Sequence, residues 1–255
     1  MDDRIPRVAL VTGAGKRIGQ AIALDLARHG WAVAVHYNTS ASEAMATVDE
    51  IRAGGGCATA VEADLSREEP TATLVARASA ALGTVGCLVN SASLFERDEA
   101  LTATRESWDA HLATNLRAPF VLTQELARGL PAEASGVVVN LLDQRVWNLT
   151  PHFVSYTVSK SALWTLTRTL ALALAPRIRV NGIGPGPTLP SPRQSAQQFD
   201  RQNRSVPLGH GSSPEEICTA VRFIIGAPSM TGQMIALDGG QHLQWSPAGR
   251  PEIEE

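Results

Sequence analysis

The stretch "VALVTGAGKRIGQAIALDLARHG" (Val8–Gly30) decides how the rest of the chain is read. It opens with an apolar, β-branched run and closes with an amphipathic pattern of helical period, so it reads as strand, tight turn and helix. Between the two lie Gly13, Gly15 and Gly19. Glycine lets backbone approach a ligand closely, and a helix starting there presents free amides and the positive end of its dipole to an anion such as a pyrophosphate. Lys16 and Arg17 stand at the ligand edge of the turn, which an ordinary β–α turn does not require.

The same alternation continues along the chain. Strand-like runs occupy 7–13, 31–37, 57–65, 86–92, 136–142, 178–184 and 232–240. Helical patterns fill 17–29, 41–53, 67–82, 104–129, 153–175 and 214–226. This order predicts an α/β chain with a doubly wound parallel sheet of about seven strands and helices on both faces. A single domain over 1–242 is expected, with a cofactor half at about 1–135, a catalytic and substrate half at about 136–242, and a tail over 243–255. The stretch "GPGPTLPSPRQS" (184–195) reads as a loop over the ligand crevice.

Composition sets outer bounds. In 255 residues the hydrophobic fraction is 44% and the formal net charge is −3, which gives no nucleic-acid or membrane surface. The start of the chain has neither the basic nor the apolar segment of a secretory signal, so a cytoplasmic protein is expected. Cys57, Cys87 and Cys218 are far apart and odd in number. They read as small buried residues in a reducing compartment. The histidines lack metal-ligand spacing, and no metal is expected.

The second strand ends "VAVHYNTS" (33–40). A site for a free ribose 2′-hydroxyl usually carries an acid there. His36, Tyr37, Asn38, Thr39 and Ser40 contain none, while Lys16 and Arg17 add positive charge nearby. The pattern favours NADP(H) over NAD(H). Tyr156 and Lys160, in "YTVSK", lie one helical turn apart. A lysine ammonium near a phenol would lower the tyrosine pKa toward a working range. A solvated helix face is the plain alternative. In "HLATNLRAPF" (111–120), Asn115 precedes Pro119 by four residues. Proline has no N–H to offer the Asn115 carbonyl, which is free to hold a relay water or simply marks a kink.

In these ordered motifs the chain resembles the short-chain dehydrogenase/reductase family over about residues 6–242. The pattern TGxxxGxG appears as "TGAGKRIG" (12–19), with Arg17 in place of the middle glycine. "ADL" (63–65), "NSAS" (90–93), "NLRAPF" and "GPGPT" (184–188) follow in order. The resemblance implies a Rossmann-type fold and hydride transfer with a nicotinamide cofactor. Tyr156 would be the proton donor, Lys160 would hold the ribose, and Asn115 a relay water. It places Gly13, Gly15, Lys16, Arg17, Ile18, Gly19, His36–Ser40, Asp64, Leu65, Asn90, Ser91, Ala92, Pro185, Gly186 and Thr188 on the cofactor, and implies a homotetramer.

One position departs from the family. Asp143 stands thirteen residues before Tyr156, where most members carry a carbonyl-orienting serine. Together with Arg17, the "HY" end of the second strand and Phe95 after "NSAS", this resembles the pteridine and dihydropterin reductases. A carboxylate cannot donate to a ketone oxygen but accepts from the N–H groups of a heterocycle. Arg17, Phe95, Asp143 and Tyr156 are therefore the expected substrate contacts. Two other readings stay open at this level: a reductase of ordinary ketones and alcohols, and a nucleotide-binding subunit without turnover. Gln144, Arg145 and Trp147 have no role that motif alone assigns.

Overall fold

A computed structural model describes residues 3–191 and 193–244. Seven strands form one parallel sheet: β1 (Val8–Val11), β2 (Ala32–Tyr37), β3 (Ala58–Glu62), β4 (Cys87–Asn90), β5 (Gly136–Leu141), β6 (Ile178–Pro185) and β7 (Met234–Leu237). Their order is β3-β2-β1-β4-β5-β6-β7. The register pairs Leu10 with Ala34 on one side and with Leu88 on the other.

Side chains alternate faces along each strand, which splits the core in two. Ala9 and Val11 face α1 (Arg17–Arg28), α2 (Ala41–Ala53) and α8 (Pro214–Gly226), through Ile22, Leu26, Val48, Ile217 and Ile224. Val8 and Leu10 face α3 (Glu68–Leu82) and α5 (Ala118–Gly129), through Leu74, Leu122 and Leu126. Because both faces are covered, β1 is buried throughout. β1 pairs with β2 and β4, so the winding reverses between β1 and β4. Loops at the carboxyl ends diverge there and leave a crevice.

Three local features differ from the sequence reading. The pattern over 104–129 divides into α4 (Arg105–Leu112), a π turn (Ala113–Arg117) and α5. The Ala118 amide reaches back to the Ala113 carbonyl, one residue further than in an α-helix, next to the proline that removes a donor. After the 184–195 loop comes a helix the periodicity did not announce, α7 (Ala196–Arg204). Its sequence, AQQFDRQNR, has only one large apolar residue, Phe199, and a Ser195–Gln198 capping box starts it. Cys57 is exposed, while only Cys87 and Cys218 are buried, with burial pushing both thiols up to about 12. α6 (Val154–Ala173) carries Tyr156 and Lys160 as expected. Among the described residues no helix is long and apolar enough to cross a membrane, and no cluster of metal-ligating side chains occurs. Most of the expected tail, 245–255, lies outside the described residues.

Candidate active site

The crevice is a cleft of about 800 Å³, lined from the glycine turn, the end of β2, the loops after β4, β5 and β6, and α7. Its cofactor end is built tightly. Gly13 has φ +64°, and a Cβ on Gly19 would stand 2.4 Å from the Gly13 carbonyl oxygen, so both positions need glycine. Thr12 accepts from the amides of Ser91 and Ala92, each at 3.0 Å, which ties the turn to the end of β4. α1 has no side-chain cap and no acid in its first turn, and Arg17, Ile18 and Gly19 at its start line the cleft. An anionic ligand suits that end.

His36 is buried. Its Nδ1 accepts from the Gly13 amide at 3.1 Å, and its Nε2 lies 3.0 Å from the Ala63 carbonyl. Those partners require the neutral Nε2–H tautomer. Burial lowers its pKa to about 4, which keeps it neutral. His36 thus holds the glycine turn against β2 and β3 instead of supplying charge. Lys16 also departs from expectation: its Nζ pairs with Glu43 at 2.6 Å. Glu43 lies on α2, three residues beyond the stretch searched for an acid, and the Lys16 bond holds its carboxyl down at about 2. Arg17 sits in the left-handed region at φ +57°, which explains why glycine suits this position. Its guanidinium donates to the carbonyls of Pro190 (2.7 Å) and Leu189 (3.2 Å) in the loop after β6.

Tyr37, Asn38, Thr39, Ser40, Asp64, Leu65, Ser91, Ala92, Pro185, Gly186 and Thr188 all line the cleft, as do Phe95, Asp143, Tyr156 and Lys160. Three expected residues do not. Gly15 packs against α2, where a Cβ would lie 3.2 Å from the Ala44 amide. Asn90 is buried in the sheet, where it donates to Asn140 at 2.7 Å. Asn115 is fully buried at the π turn: it donates to the Leu94 carbonyl and Ser159 Oγ, and accepts from the Leu94 amide. It fixes the loop after β4 to α6.

At the catalytic end, the Tyr156 hydroxyl donates to Asp143 Oδ2 at 2.8 Å. Lys160 Nζ donates to the Leu141 carbonyl at 2.8 Å and lies 5.8 Å from the Tyr156 ring centroid. Burial brings its ammonium down to about 8, against the pull of Asp143. The tyrosine runs opposite to the sequence expectation. Burial, and then the Asp143 charge, raise the phenol well above its ordinary range, with Arg145 opposing them. In this geometry Tyr156 is a held proton, not a near-phenolate.

Phe95 also differs from its expected role. One face stacks on Phe153, with centroids 4.4 Å apart and planes 5° from parallel, and Tyr156 meets it at 72°. At most its other face is left for a flat ligand. The sequence reading missed Phe153, Arg145, Arg193 and the α7 residues Phe199 and Gln202. Arg193 donates to the Phe95 carbonyl and pairs with Glu96, joining the two lips of the cleft. It also missed a buried anchor behind Tyr156. The Ser155 amide and hydroxyl both donate to Asp98, and His111 Nδ1 lies 2.7 Å from Ser155 Oγ. Arg145 meets Asp143 only two residues away, but Arg193, Phe153 and the Ser155 anchor had no local signal, because their partners come from distant segments.

A family model described as "Enoyl-(Acyl carrier protein) reductase" matches residues 13–242. The 3-oxoacyl-[acyl-carrier-protein] reductase FabG of Staphylococcus epidermidis is 31% identical over 92% of this chain and 98% of its own. The 3beta-hydroxysteroid dehydrogenase 1 of Eggerthella lenta is 31% identical over 95% and 96%. Two solved structures are more similar in sequence. FolM alternative dihydrofolate reductase 1 from Brucella suis, in complex with NADP, has a TM-score of 0.91 and 50% identity over 94% of this chain and 96% of that one. The Brucella canis protein of the same name, also complexed with NADP, has 0.93 and 48% over 97% and 99%. With the glycine turn, the Tyr156–Lys160 pair and the seven-stranded sheet in their places, the chain belongs to the short-chain dehydrogenase/reductase family.

Proposed function

We propose that this protein is an NADPH-dependent reductase of a pterin-like ring, acting on a cyclic C=N bond. The observation that carries the reading is the Tyr156 hydroxyl bonded to a carboxylate, Asp143, inside the cleft. A ketone reductase needs neutral donors around the oxygen that gains charge, and a carboxylate there would repel it. A ring bearing N–H groups finds in Asp143 an acceptor it can use. The FolM structures, at 48–50% identity, support a dihydropterin-type substrate more than the 31% relatives support a ketone.

The cofactor end fits a dinucleotide: the α1 amides face the cleft, and Thr39 and Ser40 offer hydroxyls where a 2′-phosphate would lie. Lys16 lines the same end of the cleft, with Glu43 as its present partner. Bound NADPH supplies the hydride. Tyr156 keeps its proton until a ring nitrogen needs it, and Asp143 orients the ring by accepting from N–H. Lys160, still largely protonated at neutral pH, keeps a positive charge beside the ribose position. Asn115 holds the substrate loop and α6 in register. The resemblance to the family favours a homotetramer.

The test is NADPH oxidation with 7,8-dihydropterins beside 3-oxoacyl thioesters. Dihydropterins should turn over faster. Asp143→Asn and Tyr156→Phe should each cut that turnover by about two to four orders of magnitude, with NADPH binding retained. Asp143→Ser should lose the pterin reaction and keep or gain ketone reduction. Faster thioester reduction by the wild type, or unchanged dihydropterin turnover in a folded Asp143→Asn, would overturn the proposal.

A further inference from the structure

Arg145 has a buried side chain in a cleft wall, 6% exposed, and no assignment from motif. A buried guanidinium is costly unless its charge is paired. Here the pairing is specific. Arg145 Nη1 lies 3.2 Å from Asp143 Oδ2, and the Arg145 amide donates to Asp143 Oδ1 at 2.8 Å. The same Oδ2 accepts from Tyr156 at 2.8 Å. The guanidinium also lies 5.5 Å and 5.4 Å from the centroids of Phe95 and Phe153. Asp143 itself is extended, and its carboxylate caps the short 3₁₀ turn Gln144–Val146. Both carboxylate oxygens are thus held by Arg145, and one of them is aimed at the phenol.

We infer that Arg145 is a positioning residue, which fixes the Asp143 carboxylate toward Tyr156 and the substrate ring. It takes no part in proton transfer and acts only through Asp143. The inference rests on the proposed role of Asp143 at the substrate. Among the charges around the phenol, that of Arg145 is the one opposing burial and Asp143, which agrees with a cation set at this pair. Lysine would restore the charge but not the planar fork that holds a carboxylate edge while lying against two rings.

A double-mutant cycle separates this from a merely structural role. Arg145→Leu, Arg145→Lys and Asp143→Asn are made singly, and each Arg145 variant is combined with Asp143→Asn. Thermal midpoint, NADPH affinity, kcat and KM are measured for all. Arg145→Leu should lower kcat on a 7,8-dihydropterin by about ten- to a hundredfold, with NADPH affinity within about twofold. Arg145→Lys should recover part of that loss. In the Asp143→Asn background the Arg145→Leu loss should shrink to less than about threefold. Equal losses in both backgrounds, or an unchanged kcat in a folded Arg145→Leu, would overturn the inference. If Arg145→Leu does not fold, the Arg145→Lys cycle is read by the same criterion. If the wild type reduces only 3-oxoacyl thioesters, the proposed function falls, and the cycle is then run on the thioester. Coupling there upholds Arg145 as the residue that positions Asp143; additivity overturns it.

Discussion

Arg17 shows how one side chain can justify a strained backbone. A non-glycine residue in the left-handed region costs roughly 1 kcal/mol. Its guanidinium offsets that by binding two carbonyls of the loop after β6. Arg17→Gly therefore relaxes the turn and releases the loop together. Thermal stability should change by less than about 1 kcal/mol, since the two effects oppose each other. The KM for the proposed dihydropterin substrate should rise about tenfold, because a loop that lines the cleft loses a tie. Steady-state kinetics beside calorimetry would check this; an unchanged KM would show that the tie to Leu189 and Pro190 does not matter for the substrate.

At the scale of an element, the π turn between α4 and α5 sets where Asn115 points. Pro119 withholds the amide that would bond the Asn115 carbonyl, and the helix widens by one residue at that point. Asn115 is then buried between Leu94 and Ser159. Pro119→Ala gives back the missing donor. The expected result is an unchanged or higher melting temperature with kcat reduced about tenfold, as the widened turn competes with a regular helix. A kcat at the wild-type level would mean that the turn is held by its neighbours and not by the proline.

The whole molecule has a pH limit built into its cofactor half. His36 is neutral when folded, with its pKa lowered from 6.5 to about 4 by burial. Above about pH 6.5 neither the folded nor the unfolded chain protonates it, and its full contribution is present. As the pH falls from 6.5 toward 4, the unfolded chain gains a proton that the folded chain refuses, and stability is lost. At about 1.4 kcal/mol per pH unit, the loss reaches about 3 kcal/mol. His111, also lowered by burial, adds to the loss in the same direction. Urea unfolding at pH 7, 5.5 and 4 should show the decline, and His36→Gln should flatten its slope. A slope unchanged by His36→Gln would place the acid sensitivity elsewhere.

Much of this was legible in the chain itself, because the signals are local. The order of strands and helices follows from short continuous apolar runs that alternate with segments of 3.6-residue period. The turn at 12–19 and the helical pair Tyr156–Lys160 are spacings within a single element. Asp143 in place of a donor could be read by counting back from the tyrosine. The tertiary structure decided what those residues meet. It gave Lys16 to Glu43 and set Phe95 against Phe153. It buried Tyr156 beside a carboxylate, and so raised its phenol where lysine alone suggested the reverse. It also brought α7, a polar segment with little period of its own, over the cleft. Charge balance and burial depend on groups that are far apart in sequence and close only after the sheet has wound, so no spacing along the chain encodes them.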